Sequence, residues 1–124
     1  MRVFDSNILI YHLNDALPPS VLNQVELWIT EGAVISVMSR IEVLGYSQTA
    51  DQLQQAMRLL AYFDEILLHE PVLQRTITLR QQYRIRLPDA LIAATALDLG
   101  FQLVTRNTQD FHTINGLLML NPFA

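Results

Sequence analysis

The hydrophobic residues of the chain form two patterns, which are short apolar runs and longer stretches with helical spacing. The short runs predict buried strands over residues 2–5, 33–36, 66–69, 101–105 and 117–120. Between them, apolar residues recur every three or four positions and predict helices over residues 6–13, 20–30, 37–46, 49–63, 71–83 and 88–99. Strands that alternate with helices are typical of a parallel sheet covered on both faces. The pattern therefore predicts a single domain over residues 1–124, a three-layer α/β/α sandwich with a central, mainly parallel sheet of four to five strands.

Three of the predicted helices carry details that matter for the chemistry. In the helix over residues 37–46, we expect an apolar stripe with Glu42 at its border; the stripe consists of Val37, Met38, Ile41, Leu44 and Gly45. The helix over residues 88–99 is apolar all round, which predicts that it is buried. At the start of the first helix, Ser6 is a candidate N-terminal cap.

The composition narrows the function classes. The absence of cysteine excludes disulfides, cysteine-ligated zinc and thiol catalysis. All 8 cationic residues are Arg, so Schiff-base and P-loop chemistry, which both need Lys, are excluded. The mean hydropathy of +0.23 predicts an apolar surface that takes a protein partner. No apolar run is long enough for a membrane helix and the first residues do not form a signal peptide, so we expect a cytoplasmic protein.

Carboxylates occur at positions where a parallel sheet binds its ligands, beyond the carboxyl ends of the strands. Asp5 ends the first predicted strand, with Asn7 two residues later. Asp110 and Asn107 follow the fourth strand, three residues apart. Asp89 lies in the first turn of the buried helix, where an unpartnered charge is costly. Each acid also has an ordinary interpretation: a helix cap for Asp5, a solvated boundary residue for Glu42, an arginine partner or cap for Asp89, and a loop for Asp110.

The acids are more informative together than singly. Several carboxylates at one sheet edge repel one another and raise each other's pKa, and a divalent cation removes that penalty. Oxygen-only ligands suit Mg²⁺ or Mn²⁺, which are used for phosphodiester cleavage. Arginines precede the acids in sequence and predict a locally positive rim despite the net charge of −4; they are Arg40, Arg84, Arg86 and Arg106. Ordinary pairing with surface acids is the alternative for each of them.

Four segments in this order resemble the PIN domain, and most closely the VapC-type toxins of bacterial toxin–antitoxin pairs. They are Asp-Ser-Asn at residues 5–7, Arg-Ile-Glu-Val-Leu-Gly-Tyr at 40–46, Leu-Pro-Asp-Ala-Leu-Ile-Ala-Ala-Thr-Ala at 87–96 and Val-Thr-Arg-Asn-Thr-Gln-Asp-Phe at 104–111. The resemblance covers nearly the whole chain, and the last two segments in combination are its most specific part. It implies a PIN-like fold, a cognate antitoxin and a homodimer.

The resemblance also implies an endoribonuclease that uses Mg²⁺ or Mn²⁺. Asp5, Glu42 and Asp89 match the family's three core acids, and Asp110 matches a fourth, more variable acid. Asn107 stands where many relatives have Asp, a departure for which Asp110 could compensate. In the mechanism this implies, Asp5 and Asp89 hold the metal and Glu42 and Asp110 complete its shell. Water then attacks the phosphorus in line and leaves 5′-phosphate and 3′-hydroxyl ends.

Further residues are predicted to bind the RNA substrate: Asn7, Thr105, Arg106 and Asn107. Three other hypotheses stay open at this point. A haloacid-dehalogenase-like phosphohydrolase needs a second Asp where Asn7 stands, and needs a Lys. A phospho-acceptor receiver domain also needs a Lys. A catalytically silent PIN fold that acts as a binding module is opposed by the presence of all four acids.

Overall fold

The computed structural model describes residues 1–46 and 48–124. Within them, five strands alternate with six helices. The strands are β1 (Arg2–Phe4), β2 (Ala33–Ser36), β3 (Asp64–Ile66), β4 (Gln102–Val104) and β5 (Met119–Leu120). The helices are α1 (Ser6–Leu13), α2 (Pro19–Glu31), α3 (Val37–Leu44), α4 (Ala50–Leu60), α5 (Glu70–Gln82) and α6 (Leu87–Leu99), and a 3₁₀ turn spans Thr108–Asp110.

The strands form one sheet in the order β3-β2-β1-β4-β5, and every pairing is parallel. β1 lies at the centre, where Val3 is in register with Val34 of β2 and with Leu103 of β4. The carboxyl ends of β1, β2 and β4 therefore meet at one edge of the sheet. This edge is where the sequence predicts the functional residues.

Side chains that alternate along the strands divide the core into two halves. Phe4, Ile35 and Val104 belong to the half that α1, α2 and α4 cover. Val3, Val34 and Leu103 belong to the other half, with residues of α5 and α6. The two halves lie on opposite faces of the sheet because consecutive strand residues point to opposite sides. The predicted three-layer sandwich with a mainly parallel sheet of four to five strands is confirmed, and the described residues form five strands that all pair in parallel.

Helix α6 is buried as its uniformly apolar sequence predicts. All its residues from Asp89 to Ala96 are buried, and Gly100 ends the helix in the left-handed conformation with φ of 69°. It packs mainly against α5 and also contacts β1, β2 and β4. This burial fixes the first turn of α6, and Asp89 with it, beside the central strands. None of the helices described is long and apolar enough to cross a membrane.

Three local predictions are wrong. The third strand is Asp64–Ile66 and not residues 66–69. It lies at the edge of the sheet and its first residue, Asp64, is exposed, so that hydrophobicity does not mark its position. The buried positions of α3 are Ser39 and Val43, whereas Ile41 is 56% exposed. Ser6 does not cap α1, because it is the first helical residue and its hydroxyl contacts side chains of α3.

Candidate active site at the carboxyl end of the sheet

Asp5 joins the central strand to the first helix. Its backbone is extended, its N–H donates to the carbonyl of Val104 over 2.9 Å, and its carbonyl accepts from the N–H of Ile8. The carboxylate makes no capping hydrogen bond to α1. It accepts instead from the hydroxyl of Thr105, whose Oγ1 lies 2.8 Å from Oδ2 of Asp5. Asp5 thus occupies the N-cap position of α1, but the partner of its side chain is Thr105 at the edge of the sheet.

Thr105 connects three of the predicted site residues. It is fully buried just beyond β4, and besides donating to Asp5 its hydroxyl accepts from the backbone N–H of Asn107 over 3.0 Å. The side-chain amide of Asn7 donates to the same hydroxyl over 3.4 Å. These contacts join the start of α1 to the loop that follows β4, across about a hundred residues of sequence. They hold the Asp5 carboxylate in one orientation.

Glu42 is held by two buried serines that the sequence analysis did not assign to the site. Oγ of Ser6 lies 2.6 Å from Oε1 of Glu42 and 2.9 Å from Oγ of Ser39. Ser6 has a single hydroxyl proton, and a carboxylate can only accept. Ser6 therefore donates to Glu42 and accepts from Ser39. The signal in the sequence is the spacing of Ser39 and Glu42, which lie three residues apart on one face of α3.

Asp89 lies in the first turn of α6 and pairs with Arg86. One carboxylate oxygen of Asp89 is 3.3 Å from the guanidinium, but the Arg86 side chain is 76% exposed whereas that of Asp89 is only 12% exposed. Burial raises the pKa of Asp89, Arg86 opposes the rise, and the charge of Asp110 adds to it. The arginine partner foreseen for Asp89 is therefore present, but the exposed pair does not offset the burial.

Asp110 is exposed in the 3₁₀ turn after β4 and shares a groove with Asp89. The groove has a volume of about 510 Å³, and Arg84, Arg86 and His112 also line it. Asp110 is thus brought close to Asp89 but remains accessible to solvent. A groove that combines cationic residues with two acids suits a polyanion whose backbone phosphates approach a carboxylate centre.

The two buried acids, Asp5 and Asp89, respond to the charges of their acidic neighbours. Asp5 is buried, which raises its pKa from 3.8 to about 6. The hydrogen bond from Thr105 opposes this rise, whereas the charges of Asp89 and Glu42 add to it. Because Asp110 in turn raises the pKa of Asp89, a row of coupled carboxylates runs from Glu42 through Asp5 and Asp89 to Asp110.

The chemistry of this row fits a hard divalent cation. All candidate ligands are oxygens, which Mg²⁺ and Mn²⁺ prefer. In addition, the amide oxygen of Asn7 is buried beside Thr105 without a hydrogen-bond partner among the described residues. Among those same residues, no three acid, histidine or cysteine side chains are gathered as a group that could hold a metal as they stand. A bound cation would offset the burial of the Asp5 carboxylate, the main cause of its raised pKa, and the repulsion from Asp89 and Glu42 that adds to it.

The predicted arginine rim is present in part. Arg40 is paired with Glu65 over 2.6 Å, as expected for an ordinary surface arginine. Arg84 and Arg86 line the groove with the acids. Arg106 is exposed and makes cation–π contacts with two aromatic rings, with Cζ 4.2 Å from the centre of the Phe123 ring and 5.2 Å from that of Tyr11. Neither aromatic residue was assigned to the site from the sequence.

Comparison with known proteins places this geometry in a family. A family model described as the PIN domain matches residues 2–117. A solved toxin–antitoxin complex from Klebsiella pneumoniae contains a chain with 31% identity and a TM-score of 0.74, with 98% of both chains covered. The VapBC2 structure from Rickettsia felis, bound to a promoter DNA fragment, matches at 25% identity and a TM-score of 0.83, with 97% of both chains covered. VapBC-1 from nontypeable Haemophilus influenzae has the same fold, at 22% identity, a TM-score of 0.80 and coverage of 99% of this chain and 98% of that one. No curated protein matches the chain.

Proposed function

The chain belongs to the PIN domain family, and from this premise we propose that it is a metal-dependent endoribonuclease and the toxin of a toxin–antitoxin pair. The observation that carries the nuclease proposal is the row of coupled acids at the carboxyl edge of the sheet. Asp5 and Asp89 are buried there although burial disfavours their charged forms and raises the pKa of each. Such a cost is typical of functional carboxylates and is not needed for the fold.

In this proposal Asp5 and Asp89 hold Mg²⁺ or Mn²⁺, and Glu42 and Asp110 complete the ligand set directly or through water. When bound, the cation supplies a Lewis acid for a phosphate oxygen and makes water more acidic. Thr105 holds Asp5 in position through its 2.8 Å hydrogen bond, and Ser6 does the same for Glu42. The unpartnered amide oxygen of Asn7 accepts from a bound water.

The groove beside Asp89 and Asp110 accommodates the RNA backbone. Arg84 and Arg86 donate to phosphate oxygens there, and both are exposed. Guanidinium groups are suited to phosphate because they donate two parallel hydrogen bonds. Hydrolysis with water as the nucleophile leaves a 5′-phosphate and a 3′-hydroxyl end. In this proposal, the protein and its RNA substrate are located in the cytoplasm.

The toxin part of the proposal is supported by the similar complexes with antitoxins and by an apolar groove formed by residues of α1, α2 and α4 and by Tyr62. This groove, of about 410 Å³, is lined by His12, Glu26, Ile29, Thr30, Leu59 and Tyr62. Tyr62 is 72% exposed and Met57, on the same helix as Leu59, is 55% exposed. Large apolar side chains at the surface indicate a protein partner. We assign this groove to the antitoxin and expect the toxin itself to form a homodimer.

Cleavage of a structured RNA and of a single-stranded RNA by the purified protein tests the nuclease. We expect cleavage with Mg²⁺ or Mn²⁺, none with EDTA, and products that a 5′-phosphate-dependent exonuclease degrades. Asp5→Asn should abolish cleavage, whereas Asp51→Asn, at an exposed carboxylate of α4, should not change it. RNA that stays intact with every divalent cation would support the alternative of a silent binding module.

The genome beside the coding sequence tests the toxin. A short neighbouring reading frame that encodes a DNA-binding protein is expected. Co-expression of that protein should block RNA cleavage and yield a stable complex. The absence of such a neighbour, together with active RNA cleavage, would leave a PIN nuclease that is not part of a toxin–antitoxin pair.

A further inference from the structure

Three residues next to the acids form a stacked cluster that the proposed chemistry does not use. The guanidinium of Arg106 lies over the ring of Phe123 at 4.2 Å and near the ring of Tyr11 at 5.2 Å. The two rings meet edge to face, with their centres 5.6 Å apart and an interplanar angle of 64°. We call Tyr11, Arg106 and Phe123 the aromatic ledge.

The ledge is fixed to the active site by the backbone. Arg106 directly follows Thr105, the residue that donates to Asp5. Tyr11 lies one helical turn after Asn7 on α1, so that it occupies the same face as the amide that contacts Thr105. Arg106 is thus one residue from Thr105 along the chain, and Tyr11 is one helical turn from Asn7. These two links set the distance from the Asp5 carboxylate to the ledge.

The last residues of the chain bring Phe123 to this position. The N–H of Thr105 donates to the carbonyl of Leu120 over 3.0 Å, which fastens the end of β5 beside the site. A turn then follows, in which the N–H of Phe123 donates to the side chain of Asn121 over 2.9 Å. Phe123 is only partly buried. The ring is thus held under Arg106 by specific hydrogen bonds and remains partly accessible.

Stability alone explains little of this arrangement. Arg106 makes no ion pair with any residue that the structure describes, and it is exposed although it is stacked. An exposed cation–π contact contributes only a small stabilisation. A guanidinium with an aromatic ring on one side has a second planar side, which is suited to a nucleobase. Proteins bind unpaired bases of RNA in this way, on arginine planes and aromatic rings.

We propose that the aromatic ledge is a base-stacking subsite, in which Arg106 lies between the ring of Phe123 and an unpaired nucleobase next to the scissile phosphate. Tyr11 supports the stack from its edge. This inference rests on the proposed function, since it names how the RNA substrate is placed on the same site.

The ledge shares no residue with the groove of Asp89 and Asp110. The two surfaces therefore have separate roles, with the groove for phosphates and the ledge for one base. A substrate must then supply an unstacked base at a fixed distance from the bond that is cut.

The test measures binding of short single-stranded RNA by fluorescence anisotropy, with Ca²⁺ in place of Mg²⁺ and with gels that verify that the RNA is intact. An abasic nucleotide is moved along the RNA, one position at a time. We expect one position, adjacent to the mapped cleavage site, where loss of the base weakens binding of the natural protein by about 5- to 150-fold, the range found for single stacked bases.

Substitutions distinguish stacking from charge. Arg106→Lys keeps the charge but removes the planar group, so it should weaken binding of intact RNA by a similar factor and leave the salt dependence unchanged. With the abasic RNA, Arg106→Lys should cause no further loss, because both changes remove the same contact. The matched control is Arg58→Lys, at an exposed arginine of α4 that contacts Gln54, and it should bind every RNA like the natural protein. Phe123→Leu should reproduce the effect of Arg106→Lys in part, with its melting temperature measured alongside.

Two results would overturn the subsite. Arg106→Lys could bind all RNAs as the natural protein does, or its loss could be the same for every abasic position. If the natural protein still cleaves RNA in either case, the nuclease proposal stands and only the ledge is refuted. If the natural protein neither binds nor cleaves RNA, both are refuted.

Discussion

Replacing Asp5 by Asn should stabilise the metal-free protein at neutral pH, although it removes a residue that we place at the centre of the active site. Asp5 is 6% exposed, and its pKa is raised from 3.8 to about 6. Because the folded state holds this proton more tightly than the unfolded chain, the contribution of Asp5 to stability is fully present below about pH 3.8 and is lost as the pH rises through about 6. The difference between the two pKa values corresponds to roughly 3 kcal/mol of lost stability above pH 6.

The amide of Asn carries no charge and avoids this loss. It still offers an oxygen to the hydroxyl of Thr105, but its NH₂ group must find a partner, which reduces the gain. We therefore expect Asp5→Asn to be more stable than the natural protein by about 1–3 kcal/mol at pH 7.5. At about pH 4 the two proteins should be nearly equal, because Asp5 is then neutral in the folded state.

Urea unfolding in EDTA at several pH values measures this difference directly. The control is Asp51→Asn, at an exposed carboxylate in the first turn of α4, which should change stability by less than about 1 kcal/mol and in the destabilising direction. Adding Mg²⁺ should reverse the order, since the cation stabilises only the protein that binds it. A destabilised Asp5→Asn at neutral pH, or a gain that is independent of pH, would refute the account of Asp5 as a carboxylate buried at a cost.

Three further predictions follow from the same site and surface. In EDTA, Asp89→Asn should be at least as stable as the natural protein, because the partner of Asp89, Arg86, is exposed. In thermal melts the variant should lose the rise in Tm that Mg²⁺ gives to the natural protein. A strongly destabilised metal-free variant would assign Asp89 a structural role. Ser6→Ala should lower kcat for RNA cleavage by at least about tenfold, because it removes the hydrogen bond that holds Glu42. The control Thr76→Val, which removes a buried hydroxyl from α5, should leave kcat unchanged. Equal kcat values for both variants would contradict the role of Ser6. Light scattering at micromolar concentration should report a dimer, and a monomer at all concentrations would contradict the prediction of a self-associating surface.

The sequence predicted the parallel sheet because its signals were strong where the chain is buried on both sides. Residues 33–35 are apolar and Ser36 follows them as the cap of α3, where its hydroxyl accepts from the N–H of Met38; the predicted strand over residues 33–36 has the same bounds as β2. The prediction failed at β3, where polar residues pair at the edge while Leu67 and Leu68 are 60% and 49% exposed. At an edge strand, hydrogen bonding and not hydrophobicity decides which residues pair.

The site could be predicted in part for a similar reason. Carboxylates that follow strands must lie at one sheet edge, and Asp5 and Thr105 meet there through a contact that no local pattern encodes. The two serines behind Glu42 were missed because a small hydroxyl residue on a helix has many ordinary roles. The partnership of Arg106 with Phe123 could not be foreseen, since it depends on the turn at Asn121. The roles of the four acids in metal binding stay predictions.

The central place of β1 has a consequence for the stage of synthesis at which the row of acids can be completed. β1 precedes β4 in the chain and pairs with it, and the hydrogen bond between Asp5 and Thr105 spans 100 residues. A nascent chain can fold α1 and α2 early, but it cannot close the edge that holds the acids until β4 has emerged. Contacts so distant in sequence also slow folding. We therefore expect a chain that stops before β4 to lack Thr105, the residue that holds the Asp5 carboxylate, and to be unable to complete the row of acids.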